Sequence, residues 1–396
     1  MRDSNRLLHA RGRFAHVLAQ PGLTAIAEIK RRSPSAGDLR PDADPGRLAA
    51  AYERAGAAAV SVLVDARFGG TWDDLRAARA AAGLPLLAKG FFSTEDELRT
   101  AREAGADAAL LLLRDLDDGT CARLLAAAEG IGLETLVEAH DAVELERAVA
   151  LGAPVIGVNA RDLTTFRIDR RAQLALVAGA PQDRVVVAES GITTRAQGAE
   201  AELAGADAIL IGSALMRAAN PAARLAEIVS RPLVKVCGLT REEDVAAAAD
   251  AGADLLGFVL VPESPRAAPG VLPVPEGTLS VAVWVDEAGE SPADLDQVHP
   301  PEEGRVRGRD AVLLRDGEVV ATHLDLPWGE DDPSHWERAA ATAGRIVLAG
   351  RLGPDNVRTA IERVRPWGVD ASSVLEAAPG IKDHERVRAF VEAARP

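Results

Sequence analysis

One phrase recurs along this chain and constrains it most. Ala104-Gly105-Ala106-Asp107 runs into AALLLL, Ala204-Gly205-Ala206-Asp207 into AILIGS, and Ala251-Gly252-Ala253-Asp254 into LLGFVL. Each reads as a helix ended by glycine, a short turn, and then a buried strand. A single copy is a generic helix-to-strand joint. Its repetition argues for alternating helices and strands, and so for a parallel α/β fold.

Eight short apolar runs lie near 24–30, 59–64, 85–89, 108–113, 133–138, 154–159, 184–189 and 207–212, separated by alanine-rich amphipathic segments. Eight strand-helix units in about 230 residues match a TIM (β/α)8 barrel. An open doubly wound sheet is the alternative, but no GxGxxG follows the first run, which leaves a dinucleotide fold little support. Arg231-Pro232 breaks the rhythm and a new strand, Leu233 to Val236, follows at once. The expected organisation is therefore an α/β chain of two barrels in tandem, residues 1–230 and 231–396, with almost no linker. A length of 396 residues agrees with two cores. The second part has about 165 residues, below the usual size of the fold, and is expected to be shortened or incomplete.

The formal net charge of −15 disfavours nucleic acid and anionic membranes as partners. It leaves room for a locally positive site that takes an anionic small molecule. Cys121 and Cys237, the only cysteines, make no disulfide framework, which suits a reducing cytoplasm. No apolar run is long enough to span a bilayer, and the start, MRDSNRLLHARGRF, lacks the apolar centre of a signal peptide. Nothing in the pattern specifies an oligomeric state.

Polar residues gather where the runs of the first part end. The first ends in Glu28-Ile29-Lys30, whose two charges share one side of a strand; the third ends in Lys89, the fifth in Glu138, the sixth in Asn159 and the seventh in Glu189. Charges at strand ends often only meet solvent. Two lysines, three glutamates and an asparagine at the same end of five strands fit better with the active mouth of a barrel, where lysines and carboxylates shift one another's pKa values for acid–base work. Gly191 after the seventh run and Gly212-Ser213 after the eighth allow backbone N–H groups to approach an anion, and those loops are this fold's usual phosphate site. Ser33 and Arg161 are candidates for further contacts from other loops.

The blocks IAEIKRRSPSAG (26–37), LLAKGFF (86–92), LVEAHD (136–141), VIGVNARDL (155–163), VAESGI (187–192) and ILIGSALM (209–216) come in the order of the indole-3-glycerol-phosphate synthases, which the first part resembles. The resemblance implies a reaction in tryptophan biosynthesis. The anionic sugar phosphate 1-(2-carboxyphenylamino)-1-deoxyribulose 5-phosphate would close an indole ring, losing carbon dioxide and water, with no metal and no organic cofactor. It implies Lys89 as general acid, Glu138 as general base, and Lys30 with Glu28, Asn159 and Glu189 as groups that orient the substrate and assist proton movement. Ser33, Arg161, Ser190, Gly191, Gly212 and Ser213 match the phosphate grip, and Phe91 is a candidate to pack on the aromatic ring, with a core phenylalanine as the plainer reading. The family's aspartate after the catalytic lysine is Gly90 here, Val64-Asp65 stands where Thr-Glu is common, and the stretch before the first strand is short, so part of the helical cover over the mouth is expected to be missing.

KVCGLTREED (235–244), Ser264-Pro265-Arg266, VLAGRLGPDNV (347–357) and VDASSVLEAAPGIKD (369–383) are similar to phosphoribosylanthranilate isomerases. That resemblance implies an Amadori rearrangement with Cys237 as base, Arg266 as a substrate-binding arginine and Asp325 as the candidate general acid. The match is eroded. Pro262, Pro265, Pro269, Pro273 and Pro275 exclude an ordinary helix there, and only two strand-like runs, near 311–314 and 318–325, stand out between 286 and 344. Gaps in the barrel wall are therefore expected. Family glycines are replaced at Arg351 and Val374, and Pro327-Trp328-Gly329-Glu330 stands where a glycine-rich loop is usual. Three readings stay open: both activities, a synthase whose second barrel is a structural or interaction module, and another sugar-phosphate enzyme.

Overall fold

The computed structural model describes residues 12–33, 37–162, 164–301, 310–326 and 332–395. The chain divides into two compact units, Met1–Thr193 with Gly198–Val229, and Thr194–Gln197 with Ser230–Pro396.

In the first unit the eight expected runs become strands β1 (Thr24–Ile29), β2 (Ala59–Leu63), β3 (Leu86–Lys89), β4 (Ala108–Leu112), β5 (Glu134–Ala139), β6 (Val155–Asn159), β7 (Val185–Glu189) and β8 (Ala208–Ile211). They form one closed barrel in chain order, all pairs parallel, with Ile26 opposite Leu210 on one side and Ala59 on the other. Both faces of such a sheet are covered, which is why the strands read as unbroken apolar runs. Ile26, Leu87, Leu110, Leu136, Val187 and Leu210 belong to one buried cluster together with Phe14 and Leu18 of helix α1 (Arg13–Leu18). The backbone N–H groups of Phe14 and Ala15 donate to Glu134, at the start of β5. This helix thus closes the N-terminal end of the barrel, opposite the mouth. The outer helices are α2 (Pro45–Arg54), α3 (Trp72–Ala81), α4 (Glu95–Glu103), α5 (Asp118–Gly130), α6 (Ala142–Ala150), α7 (Arg170–Gly179), α8 (Arg195–Ala204), α9 (Ser213–Arg217) and α10 (Pro221–Val229). Several begin at a side-chain cap: Thr71 with Asp74, and Thr94 with Glu97, form reciprocal capping boxes.

The recurring phrase has a physical basis. Gly105, Gly205 and Gly252 take φ of +101°, +111° and +94°, a conformation that favours glycine at a helix end. The aspartate two residues on accepts a backbone N–H from the first or second residue of the preceding strand. Asp107 takes that of Leu86 at 2.8 Å, Asp207 that of Val186 at 2.9 Å, and Asp254 that of Val234 at 2.8 Å. An otherwise unpaired donor at the rim is satisfied each time.

The second unit also closes. Strands β9 (Leu233–Val236), β10 (Leu255–Val259), β11 (Leu279–Val285), β12 (Leu295–His299), β13 (Ala311–Arg315), β14 (Glu318–Leu324), β15 (Ile346–Leu348) and β16 (Gly368–Ala371) make a second eight-stranded ring. The expected gaps in its wall are absent. The shortening falls on the outer layer: α11 (Glu242–Ala251), α12 (His335–Ala341), α13 (Val357–Val364) and α14 (His384–Ala394) are its helices among the described residues. β13 is antiparallel to both neighbours. It is joined to β14 by Asp316-Gly317 at φ of +50° and +81°, a two-residue turn that connects only antiparallel strands. β12 escapes an apolar-run criterion because Gln297 and His299 alternate with Val298 and are themselves buried. The segment Pro327 to Glu330 lies outside the described residues.

Candidate functional site

In the first unit the strand-end charges converge. Lys89 Nζ lies 2.6 Å from Glu189, 3.5 Å from Glu28 and 3.7 Å from Glu138, while Lys30 Nζ is 2.6 Å from Glu28. Asn159 donates to Glu138 Oε1 at 2.9 Å, and its own oxygen accepts the Arg161 backbone N–H at 3.0 Å. Two glycines make room. A Cβ on Gly157 would lie 2.1 Å from Glu189 Oε1, and one on Gly212 would lie 2.2 Å from Glu28 Oε1. Buried Gln173 donates to the carbonyls of Val158 and Glu189 at 2.7 and 2.6 Å, tying β6 to β7 just below the site.

The charges are unequal in a useful way. Burial alone would push the Lys89 ammonium down, but Glu189, Glu28 and Glu138 together hold its pKa well above the usual value. Burial, with the carboxylates of Glu138 and Glu28, pushes Glu189 up despite Lys89. Burial would also raise Glu138, yet Lys89, His140 and Asn159 hold it down. Carboxylates pushed apart in this way are a mark of divided acid and base duties.

A cavity of about 240 Å³ opens over this cluster, and its wall includes Lys30, Lys89, Glu138, Asn159, Phe91 and Arg161. Ser190, Gly191, Gly212 and Ser213 are on the same wall, with Ser190 and Gly191 at φ of +68° and +74°. Phe91 is half-buried. Its ring carries the Arg67 guanidinium at 3.8 Å and stacks on Phe68 at 6.3 Å. Asp65 holds Arg67 by two side-chain bonds of 2.9 and 2.8 Å, so the departure at Val64-Asp65 still serves the cavity wall. Gly90 has little space for a side chain, since a Cβ there would sit 3.1 Å from the Phe92 ring. Lys89 is supported by Glu189 instead. Ser33 is buried in a small hairpin and is not part of this wall. Sequence reasoning missed Arg217, which is on the wall and whose charge, after burial, helps depress Arg161. It also missed His140, which stood inside a quoted block.

The second unit has a wider cavity, about 840 Å³, whose wall includes Cys237, Arg266, Asp325, Arg351, Asp370 and Val374. Burial pushes the Cys237 thiol up, and Lys235 and Lys382 only partly oppose it. Arg266 is held by Glu376 at 2.8 Å, and Lys382 by the same carboxylate at 2.9 Å. Asp325 is half-buried and accepts the N–H of its neighbour Leu326 at 2.8 Å. Deeper lies a set not singled out in the sequence. Lys235 Nζ bonds Gln297 at 2.7 Å and Asp370 at 2.8 Å, His323 Nε2 meets Asp370 at 2.8 Å, and the rings of His299 and His323 meet edge-on at 5.7 Å.

A barrel whose mouth gathers lysines and carboxylates below a rim of arginines and glycines defines an acid–base enzyme for an anionic substrate. The family model "Indole-3-glycerol phosphate synthase" matches residues 2–228, and the chain belongs to that family. The synthase of Micrococcus luteus is 47% identical over 221 residues, 56% of this chain and 81% of that protein. The synthase of Mycobacterium ulcerans is 44% identical over 214 residues, 54% and 79% of the two chains. A model for N-(5'phosphoribosyl)anthranilate isomerase matches residues 332–393. The phosphoribosyl anthranilate isomerase structure from Thermus thermophilus is 29% identical, covering 41% of this chain and 97% of that one, with a TM-score of 0.34. The chain is thus an enzyme of tryptophan biosynthesis in which a synthase part precedes an isomerase part. No helix among the described residues is long and apolar enough to cross a membrane.

Proposed function

We propose that residues 1–230 convert 1-(2-carboxyphenylamino)-1-deoxyribulose 5-phosphate to indole-3-glycerol phosphate in the cytoplasm, with no nucleic-acid partner. The carrying observation is Lys89, kept protonated among three carboxylates at the floor of the cavity. Lys89 gives a proton to the ketose oxygen as the aromatic carbon attacks the carbonyl and a carbon–carbon bond forms. Loss of carbon dioxide returns its bonding electrons to the ring. Recharged with a proton, Lys89 then protonates that hydroxyl, which leaves as water, while Glu138, ionised in its setting, takes the proton the substrate loses as the ring double bond forms. Glu189, at 2.6 Å and with raised affinity for a proton, can return one to Lys89. Lys30, held by Glu28, faces the substrate carboxylate. Ser190, Gly191, Gly212, Ser213 and Arg161 hold the phosphate, while the contact expected of Ser33 would need its hairpin to approach the bound substrate.

Residues 231–396 take the isomerase role with Cys237 as base, Asp325 as acid and Arg266 toward the anthranilate carboxylate, at low efficiency. Three observations favour weakness: the raised Cys237 thiol, the engagement of Arg266 by Glu376, and Val374 leaning over Gly353, where no Cβ would fit beside it. Complementation of strains lacking each activity tests both halves. Strong synthase rescue with poor isomerase rescue is expected. Robust isomerase rescue that is abolished by Cys237→Ala would restore a fully bifunctional enzyme.

A further inference from the structure

His140 stands directly after β5, behind the carboxylate of Glu138 and outside the cavity wall. Its Nε2 is 3.2 Å from Glu138 Oε1 and its Nδ1 is 3.0 Å from Glu144 Oε2 on α6. The His140 backbone N–H donates to the same Glu144 oxygen at 2.8 Å, so ring and main chain are fixed by one carboxylate. The charged and polar groups facing this unit are Glu138 on its own strand, Glu144 from α6, Asn159 from β6 and Lys89 from β3; Glu189 of β7 reaches it through Lys89. The two oxygens of Glu138 are therefore treated differently. Oε1 accepts from Asn159 at 2.9 Å and lies 3.2 Å from His140 Nε2, an ion-pair contact without hydrogen-bond geometry, whereas Oε2 is buried without a hydrogen-bond partner, 3.7 Å from Lys89.

We propose that His140, clamped by Glu144, is a positioning residue for the synthase reaction that pins Glu138 by Oε1 and leaves Oε2, on the Lys89 side, as the oxygen that exchanges the proton. This rests on Glu138 acting as the base. A base whose two oxygens are interchangeable by a side-chain flip spends part of its time misaimed. One whose first oxygen has a donor and a fixed cation beside it does not, and small errors of placement are costly in rate. Burial alone would lower the His140 pKa, but Glu138 and Glu144 raise it to about 9, so the ring is a cation at neutral pH. Its charge helps keep Glu138 ionised and ready.

The sign follows. Removing the imidazolium raises the Glu138 pKa, so the acid limb of kcat/KM moves to higher pH. In the full-length protein, His140→Ala is expected to lower kcat about tenfold, the scale of a modest misplacement, with KM within about twofold, and to shift the acid limb up by roughly one unit. His140→Gln keeps a polar side chain of similar reach beside Oε1 but no charge. It should recover most of kcat on the plateau while leaving the acid limb shifted. Glu144→Gln keeps the ring and weakens its clamp, so the alkaline limb tied to His140 should move to lower pH; this variant serves if His140→Ala does not fold. Profiles of His140→Gln and Glu144→Gln that superimpose on the wild type would overturn the proposal. So would a loss in His140→Ala that falls wholly on KM. If Glu138→Gln retained full turnover, the assignment of the base itself would fail, whatever the His140 variants did.

Discussion

The two units solve the same closure problem with different interiors. In the first, the strand ends bear an excess of buried carboxylates over cations: Glu28, Glu138 and Glu189 share Lys89, and Lys30 adds to Glu28. Such a cluster cannot satisfy every charge at once, and burial pushes Glu189 up while Lys89 and His140 keep Glu138 down. In the second, Lys235 bonds Gln297 and Asp370, His323 meets the same Asp370 oxygen, and Asp370 is held far below the usual carboxylate range against its burial by Lys235 and His323, while Asp370 Oδ1 and His323 Nδ1 are buried without a hydrogen-bond partner. These bonds tie β9, β12, β14 and β16 across the ring as a brace. The contrast is between a mouth where three carboxylates share two lysines and an interior where one lysine bridges strands.

The largest effect should come from breaking that brace. Lys235→Met leaves Asp370 buried without its cation, a change that costs about 3–5 kcal/mol, read as a lower urea midpoint for the second unit of the full-length chain. Lys235→Met with Asp370→Leu should recover most of the loss, since apolar replacement of a buried pair is often neutral. The Asp370 pKa is depressed in the fold, so its contribution is present above the unfolded carboxyl value of about 4 and is lost as pH falls further toward the folded value. Wild type should therefore weaken in acid more steeply than the double variant. Equal acid sensitivity in the two would remove the brace from the account.

Next is Lys89→Met. Loss of a positioned acid typically costs a hundredfold or more, roughly 2.7 kcal/mol in the barrier, and synthase turnover should fall accordingly. The protein should remain folded, because Glu189 can take a proton in place of its lost partner. Near-normal turnover would show that the cluster serves shape rather than proton transfer. Smaller again is Ser213→Asp, which sets a like charge beside the substrate phosphate. A rise in KM of about tenfold, or roughly 1.4 kcal/mol, with kcat nearly kept is expected, and an unchanged KM would move the phosphate away from the loops after β7 and β8.

The sequence was clearest where one face of the pattern did one job. All eight strands of the first ring were legible because both their faces are apolar, and the charges at their ends stood out against that background. Glu189 and Lys89, a hundred residues apart, could be placed at one mouth by counting units, but their 2.6 Å contact could not. His140 was hidden by its position inside a motif whose glutamate drew attention. β12 was hidden because its inward residues are Gln297 and His299, and apolar periodicity registers only apolar interiors. The reversed β13 had a local signal, Asp316-Gly317 between two β-rich runs, which went unused because a parallel barrel was expected.

The smallest effect tests whether the second barrel's weakness lies in binding. Val374 is 37% exposed and packs on Gly353, at a position where the resemblance to the isomerases implies glycine. Arg351, the other replaced glycine, already accepts φ of +54°, so the main chain there keeps its course and only the side chains narrow the rim. A phosphate remote from the reacting carbons supplies binding energy that orients the sugar, so an obstructed rim should appear in KM more than in kcat. Val374→Gly gives up a partly exposed apolar contact and should cost the fold little, on the order of 1 kcal/mol or less. It should lower KM for phosphoribosylanthranilate about threefold to fivefold, a gain of roughly 0.7–1 kcal/mol, while kcat stays where the buried Cys237 thiol sets it. If kcat rises and KM does not, the limitation is the placement of Cys237 against Asp325 and the rim is innocent. If neither changes, Val374 lies off the path of the substrate, and the two barrels differ in their chemistry alone.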